Sequence, residues 1–403
     1  MRKFCSFLIL SAALVCLGPT REHQAAAAQG SETETTRLNQ WFAARWQEQL
    51  AFSPMQKTIL GLKEDYDKID EFSEAAEDTQ LAWRRKVTAD MKTAFDYERL
   101  TPEGKMSYDI WNYELEATER THTLRRHVYV FTQMQGPQAG LPQFLIAIHK
   151  VEQPGDMTAY ISRIGGIARG VDQLLVRAQA AAKDGVRPPR FAYEGVITQA
   201  RGLVTGAPFG GEGDAPIWAD AKSEIDALLK GGKIDQPHAE RLRTAARQAL
   251  LEKFKPSYDA LIAWFEQDMK NADAEARGAG ALPKGLDFYK ERLAYSTTTD
   301  MTAEEIHQLG LAEVTRLHTE MESVKSKVAF KGTLQEFFTF MREDPQFSFP
   351  NTDEGRQGYI QAARDHLGFI KTRLPEYFGM LPKADLEVKR VEPFREQDGA
   401  AQH

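Results

Sequence analysis

The chain has 403 residues, with 51 Lys and Arg against 58 Asp and Glu, a formal net charge of −7. No basic cluster is present to hold nucleic acid or an anionic membrane, so those classes of binding module are excluded. Both cysteines, Cys5 and Cys16, lie within the first 28 residues; the remainder can form no disulfide, thiolate metal site or cysteine nucleophile.

Arg2 and Lys3 precede an apolar run from Phe4 to Leu17 that is too short for a typical membrane span. Ala26-Ala27-Ala28 supplies the small residues a signal peptidase needs. Residues 1–28 are therefore expected to be a signal peptide cleaved after Ala28, with the mature protein soluble in the periplasm or secreted. Val15 is a poor residue before a lipid-modified cysteine, which disfavours a lipoprotein. No later stretch is apolar enough to span a bilayer. The roughly 375 residues left after cleavage are ample for a self-sufficient core.

Residues 29–36 are polar and read as loose. Leu38, Trp41, Phe42, Trp46 and Leu50 mark an amphipathic helix ending near Pro54, and a second runs through Trp83, Val87, Met91 and Phe95. Thr101-Pro102-Glu103 opens a third, with Thr as cap and Pro in the first turn. Residues 127–150 break the rhythm at Gly136-Pro137 and Pro142 and read as an irregular connector, with His149 a boundary residue. Asp156 is expected to cap a long helix through Tyr160, Ile164, Ile167, Val171 and Leu174, which Gly165-Gly166 should weaken or bend. Val186 to Phe191 is a stiff proline connector. Helices are then expected at about 192–204, 218–230 and 236–275, the last broken or kinked at Pro256. The Gly-rich loop 205–214 does not follow a strand, so it is a poor phosphate cradle. Gly278–Gly285 marks the seam between an N-terminal helical region, 29–277, and a second region, 285–403.

Thr302-Ala-Glu-Glu305 is a capping box. Ile306, Leu309, Val314, Leu317, Met321 and Val324 follow at helical spacing and predict a buried face. His307 and His318 are eleven residues apart and fall within roughly 20° of one line along that helix. Thr333-Leu-Gln-Glu336 is another capping box, and residues 353–374 form one more helix. Leu386–Val391 is the single strand candidate. The fold class is all-α, a large multi-helix array with a minor β-strand near the C-terminus.

None of the nine histidines is followed by Glu, so the helical two-ligand zinc motif is absent. Glu304-x-x-His307 is half of a bundle di-metal site, whose other half needs a second such pair and further carboxylates. No nucleophile elbow, P-loop or dinucleotide fingerprint is present.

Four segments nonetheless form an ordered set: Gln133-Met134 with Leu141-Pro-Gln-Phe-Leu145, Arg187-Pro-Pro-Arg-Phe191, Thr297 to Val314, and Arg373 to Lys383 followed by Leu386 to Pro393. Together they resemble the bacterial domain-of-unknown-function 885 family over essentially the whole mature chain. The resemblance implies an exported, helix-rich zinc peptidase of carboxypeptidase type, built as a helical shell around a cleft. It also implies a His-Glu-x-x-Pro-Gly-His-His metal helix beyond the segment matching 373–393, a pattern this chain does not contain. No residue here therefore inherits a zinc-ligand or general-base role.

The leading expectation is a truncated, catalytically inactive portion of such a peptidase: a fragment, a frameshifted gene product, or one half of a protein completed by a missing C-terminal segment or second chain. Zinc is expected only in full-length members, and no cofactor in this chain. The alternative is a stand-alone periplasmic helical protein that binds peptides without cleaving them. A third is an enzyme with a metal at His307 and His318. Substrate-cleft candidates are Tyr289, Arg292, Tyr295 and His307, since Arg can grip a peptide carboxylate and Tyr can donate to an oxyanion. The competing reading for all four is interhelix packing and capping.

Overall fold

A computed structural model describes residues 21–388 of the chain, which divide into two compact units, one ending at Met301 and the other starting at Thr302. The first unit contains α1 (Arg21–Leu50), α2 (Pro54–Ile59), α3 (Glu74–Ala94), α4 (Pro102–Thr123), α5 (Pro137–Ala147) and α6 (Pro154–Lys183). It continues with α7 (Arg190–Leu203), α8 (Pro216–Lys230), α9 (Gln236–Ala249), α10 (Lys255–Asp268) and α11 (Gly285–Thr297). The second unit contains α12 (Ala303–Lys327), α13 (Leu334–Glu343) and α14 (Asp353–Arg373). The all-α class holds. The seam read at 278–285 and the division after Met301 differ by α11, which packs on α4 of the first unit: Arg120 Nε lies 3.3 Å from Glu291 Oε2, and His127 stacks on Phe288 at 5.5 Å.

The main core is organised on α6. Met157, Tyr160, Ile164, Ile167, Val171 and Leu174 are buried at three- and four-residue spacing, and α5, α8, α9 and α10 pack against them. The helix begins two residues before its expected cap: Asp156 sits inside the first turn, and its carboxylate accepts from the N–H groups of Glu152 (2.9 Å) and Gln153 (3.0 Å). Gly165-Gly166 do not interrupt it. A Cβ on Gly166 would lie 2.9 Å from the Ile69 side chain, and one on Gly170 3.0 Å from the Phe72 ring. These glycines admit a neighbouring segment, which offsets their cost in helix propensity.

That neighbour, residues 61–73, is neither helix nor strand, yet side chains of α6 hold it along its length. Lys68 O accepts from Arg163 Nε (2.9 Å), Ile69 O from Arg169 Nη2 (3.2 Å) and Phe72 O from Arg177 Nη1 (3.1 Å). Phe72 N donates to Gln173 Oε1 at 3.0 Å.

Three sequence expectations need correction here. Residues 29–36 are helical, with Glu34 and Thr35 buried. Glu34 Oε1 accepts from Asp96 N (3.0 Å) and Thr35 Oγ1 from Thr101 N (2.9 Å), so their polarity serves tertiary bonds rather than solvent. The connector 127–150 contains α5, despite Pro142 inside it. Pro142 has no N–H for the carbonyl of Gln138, and the Tyr258 hydroxyl donates to that carbonyl instead, at 2.7 Å. Of the break or kink expected at Pro256, the break is absent and the irregularity is a widened turn: α9 passes through a π turn, Leu250–Phe254, into α10, with Lys255 N bonded to Leu250 O. The widened turn lets the chain continue past a residue that cannot donate.

A smaller core joins α1, α3 and α4 through Leu38, Met91, Phe95, Leu100 and Tyr108, flanked by Trp41, Phe42 and Trp111. In the second unit both capping boxes form: Thr302 N donates to Glu305 Oε2 (2.8 Å) and Thr333 N to Glu336 Oε2 (2.7 Å). The face of α12 read as buried is not. Leu309, Val314 and Val324 are about half exposed, as is Leu311, and Leu317 and Met321 are exposed as well. Among the described residues of this unit, Phe337 and Ile360 alone are buried apolar side chains. Phe330, Phe337 and Phe340 form its aromatic cluster, with centroids 5.1 and 5.2 Å apart from Phe330.

Leu386–Val388 form no strand, and the rest of that candidate lies outside the described residues. The expected leader lies outside them up to position 20, with Arg21–Ala28 in α1. No helix among the described residues is long and apolar enough to cross a membrane.

Candidate functional site

The first unit contains a cleft of about 570 Å³ walled by α3, α4, α6 and α11, a size suited to a small ligand or a few residues of peptide. Two of the helices each present one face to it. Glu77, Leu81 and Arg84 of α3 recur at i, i+4 and i+7, as do Glu114, Thr118 and Thr121 of α4. Arg177 comes from α6, and Arg292 and Tyr295 from one face of α11. Phe52, Trp83 and Val128 supply apolar surface, Phe52 meeting Trp83 edge-on at 5.7 Å.

Charges in the walls are mostly matched. Arg84 Nη2 pairs with Glu114 while its guanidinium lies 4.6 Å from the Trp111 ring centre, and its buried Nε has no hydrogen-bond partner. Arg125 meets Asp78 Oδ1 at 2.5 Å and Glu74 Oε2 at 3.1 Å. Arg177 Nη2 meets Glu77 Oε1 at 2.5 Å. Hydrogen bonds from Arg126, with the nearby Arg125 cation, hold the Glu74 carboxyl down at about 2. Asp78 is likewise lowered by Arg125 and His122. Arg292 is different: its guanidinium lies 4.7 Å from the Tyr295 ring centre, with no carboxylate partner among the described residues.

The sequence candidates therefore separate. Arg292 and Tyr295 share the cleft wall. Tyr289 is half exposed and lies outside the lining. His307 is exposed on α12 of the second unit. His307 and His318 lie on one helix about 16 Å apart along its axis, too far to share an ion. The wall residues Arg125 and Arg177 carry no signal in the sequence, and His122, five residues from His127 and poorly placed to share a ligand with it on one helix, lines the cleft. Sequence reasoning passed over a second Glu-x-x-His, Glu119-x-x-His122. In the structure Glu119 pairs with Arg85 (2.6 Å) and His122 Nε2 lies 2.8 Å from Asp78, so the two serve separate contacts.

His149, read as a boundary residue, is buried. Its Nε2–H donates to Asp156 O at 3.0 Å, while Nδ1 accepts from Arg163 Nη1 at 2.8 Å. Arg187, from the proline connector, grips Asp268 with two nitrogens (2.8 and 3.0 Å), and Tyr193 donates to the same carboxylate at 2.8 Å. These are buried structural networks.

No group of three or more His, Cys, Asp or Glu among the described residues is placed to hold a metal ion. The zinc implied by the family resemblance thus finds no ligand set among the described residues.

The family described as bacterial protein of unknown function (DUF885) matches residues 54–403. The chain belongs to the DUF885 family. No curated protein matches the chain significantly. Among solved structures, the crystal structure of the "putative lipoprotein from Colwellia psychrerythraea" shares the fold with a TM-score of 0.75 at 18% identity. The match covers 91% of this chain and 64% of that one, so this DUF885 chain spans under two thirds of the relative's length.

Proposed function

We propose that this chain is the exported, peptide-binding helical portion of a DUF885-type carboxypeptidase-like zinc metallopeptidase, and that on its own it binds peptides without hydrolysing them. The family match over residues 54–403 carries the reading. The cleft supports it, since its arginine- and aromatic-lined walls suit an extended peptide. The lack of a metal-ligand group among the described residues supports binding without cleavage. Export rests on the basic start and apolar run before Ala28, and the word lipoprotein in the name of the structural relative agrees with it.

The test uses protein recovered from the exported fraction. Its intact mass should place cleavage after Ala28. A mixture of short peptides should raise its melting temperature and be recovered uncut by mass spectrometry. Peptide hydrolysis abolished by a chelator would overturn the non-catalytic part, and the absence of any peptide-dependent stabilisation would overturn the binding part.

A further inference from the structure

We propose that the cleft selects ligands ending in a carboxylate next to an aromatic or branched apolar group, with Arg292 as the carboxylate-binding residue. This rests on the reading of the cleft as the ligand site and adds the chemistry it recognises. Three of the four guanidinium groups in the walls already have carboxylates: Arg84 has Glu114, Arg125 has Asp78 and Glu74, and Arg177 has Glu77. Arg292 has none among the described residues and rests on the Tyr295 ring.

Four carboxylates (Glu114, Asp78, Glu74 and Glu77) stand against those three arginines, so what is unmet is the Arg292 guanidinium itself and not a surplus of charge. A single carboxylate completes its pairing. A doubly charged phosphate would bring a second negative charge toward Glu77 and Glu114 of the same lining, so the monoanion is favoured. The guanidinium offers two parallel N–H donors, the geometry of a carboxylate, and its stacking on Tyr295 restricts the fork. Phe52 and Trp83 give the apolar body of the ligand a surface in the same cavity.

Calorimetric titration with N-acetylphenylalanine, its amide and inorganic phosphate tests this. The acid should bind at least about tenfold more tightly than the amide, and phosphate should not compete. In R292Q the acid should weaken to the level of the amide, with the melting temperature unchanged because Arg292 is only half buried. Equal binding of acid and amide by the unaltered protein, competition by phosphate, or an undiminished acid preference in R292Q overturns the carboxylate assignment and leaves peptide binding standing. If neither small probe nor the longer peptides bind, both readings fall.

Discussion

Arg163 has no exposed surface and no ion pair among the described residues, with Asp67 and Asp70 acting on it only at longer range. Its charge is met by dipoles and rings. Nε donates to Lys68 O, Nη2 to Thr58 Oγ1 (2.6 Å) and Nη1 to His149 Nδ1, and the guanidinium lies 4.9 Å from the Tyr66 ring centre and 5.2 Å from that of Phe144. Arg163→Met fits the space but leaves the Lys68 carbonyl and His149 Nδ1 without donors, a loss of roughly 2–4 kcal/mol. Urea denaturation should show it as a lower midpoint with an unchanged slope. His149 has a second consequence. Burial, helped by the Arg163 cation and opposed by the bond to Asp156 O, lowers its pKa from 6.5 to about 4. Between those values the unfolded chain binds a proton that the folded chain refuses. The contribution of neutral His149 is therefore whole above about pH 6.5 and is lost as pH falls toward 4, on the order of 3 kcal/mol. His149→Gln should flatten the stability–pH slope in that window, whatever its effect at neutral pH. A parallel slope would refute the assignment. Nothing in the pattern around Lys150 announced a buried imidazole, because its burial depends on Tyr66 stacking over it at 4.2 Å from a distant segment.

Among the elements, local signals were the legible ones. The Thr302 and Thr333 boxes close with the bonds their sequences predict, because each involves residues three apart in one turn. Signals whose meaning depends on a partner are not. Pro142 reads as punctuation, yet Tyr258 supplies the donor that replaces its missing N–H, and Pro256 reads as a break or kink, yet the π turn before it carries the helix through. That turn sets the register of α10. Deleting Glu252 would turn the bond from Lys255 N to Leu250 O into an ordinary i→i−4 bond and keep α10 in register. Deleting Asp259, beyond the turn, would instead rotate the rest of the helix by about 100° and carry Leu261 and Phe265 off the core in which they are buried. The Glu252 deletion is expected to stay soluble and folded, and the Asp259 deletion to abolish soluble expression. An Asp259 deletion that melts like the parent, or a Glu252 deletion that fails to fold, would show that the turn does not set the register.

Over the whole molecule, helical class, the order of the elements and the buried face of α6 could be read from periodicity, but not whether every apolar face is covered. Periodicity says that α12 has an apolar face, not what covers it, and here that face stays exposed. The cleft was half legible: Arg292 and Tyr295 stood out as a pair, while their companions on α3, α4 and α6 come together only through folding. Apolar burial is also unequal. Nearly all of it lies before Met301, and after Thr302 two side chains carry it among the described residues. Local opening should follow that inequality. Limited proteolysis should cut first between residues 302 and 388 and leave a resistant product ending near Met301; a product from the second unit that outlasts the first would contradict this. The stretch 61–73 marks the opposite extreme. Surface connections ordinarily tolerate inserted and deleted residues because nothing grips their backbone. This one is fastened to α6 by four hydrogen bonds at Lys68, Ile69 and Phe72, so a change of one residue in its length would put the remaining fastenings out of reach. Natural variants of this chain should keep its length as strictly as that of a buried helix.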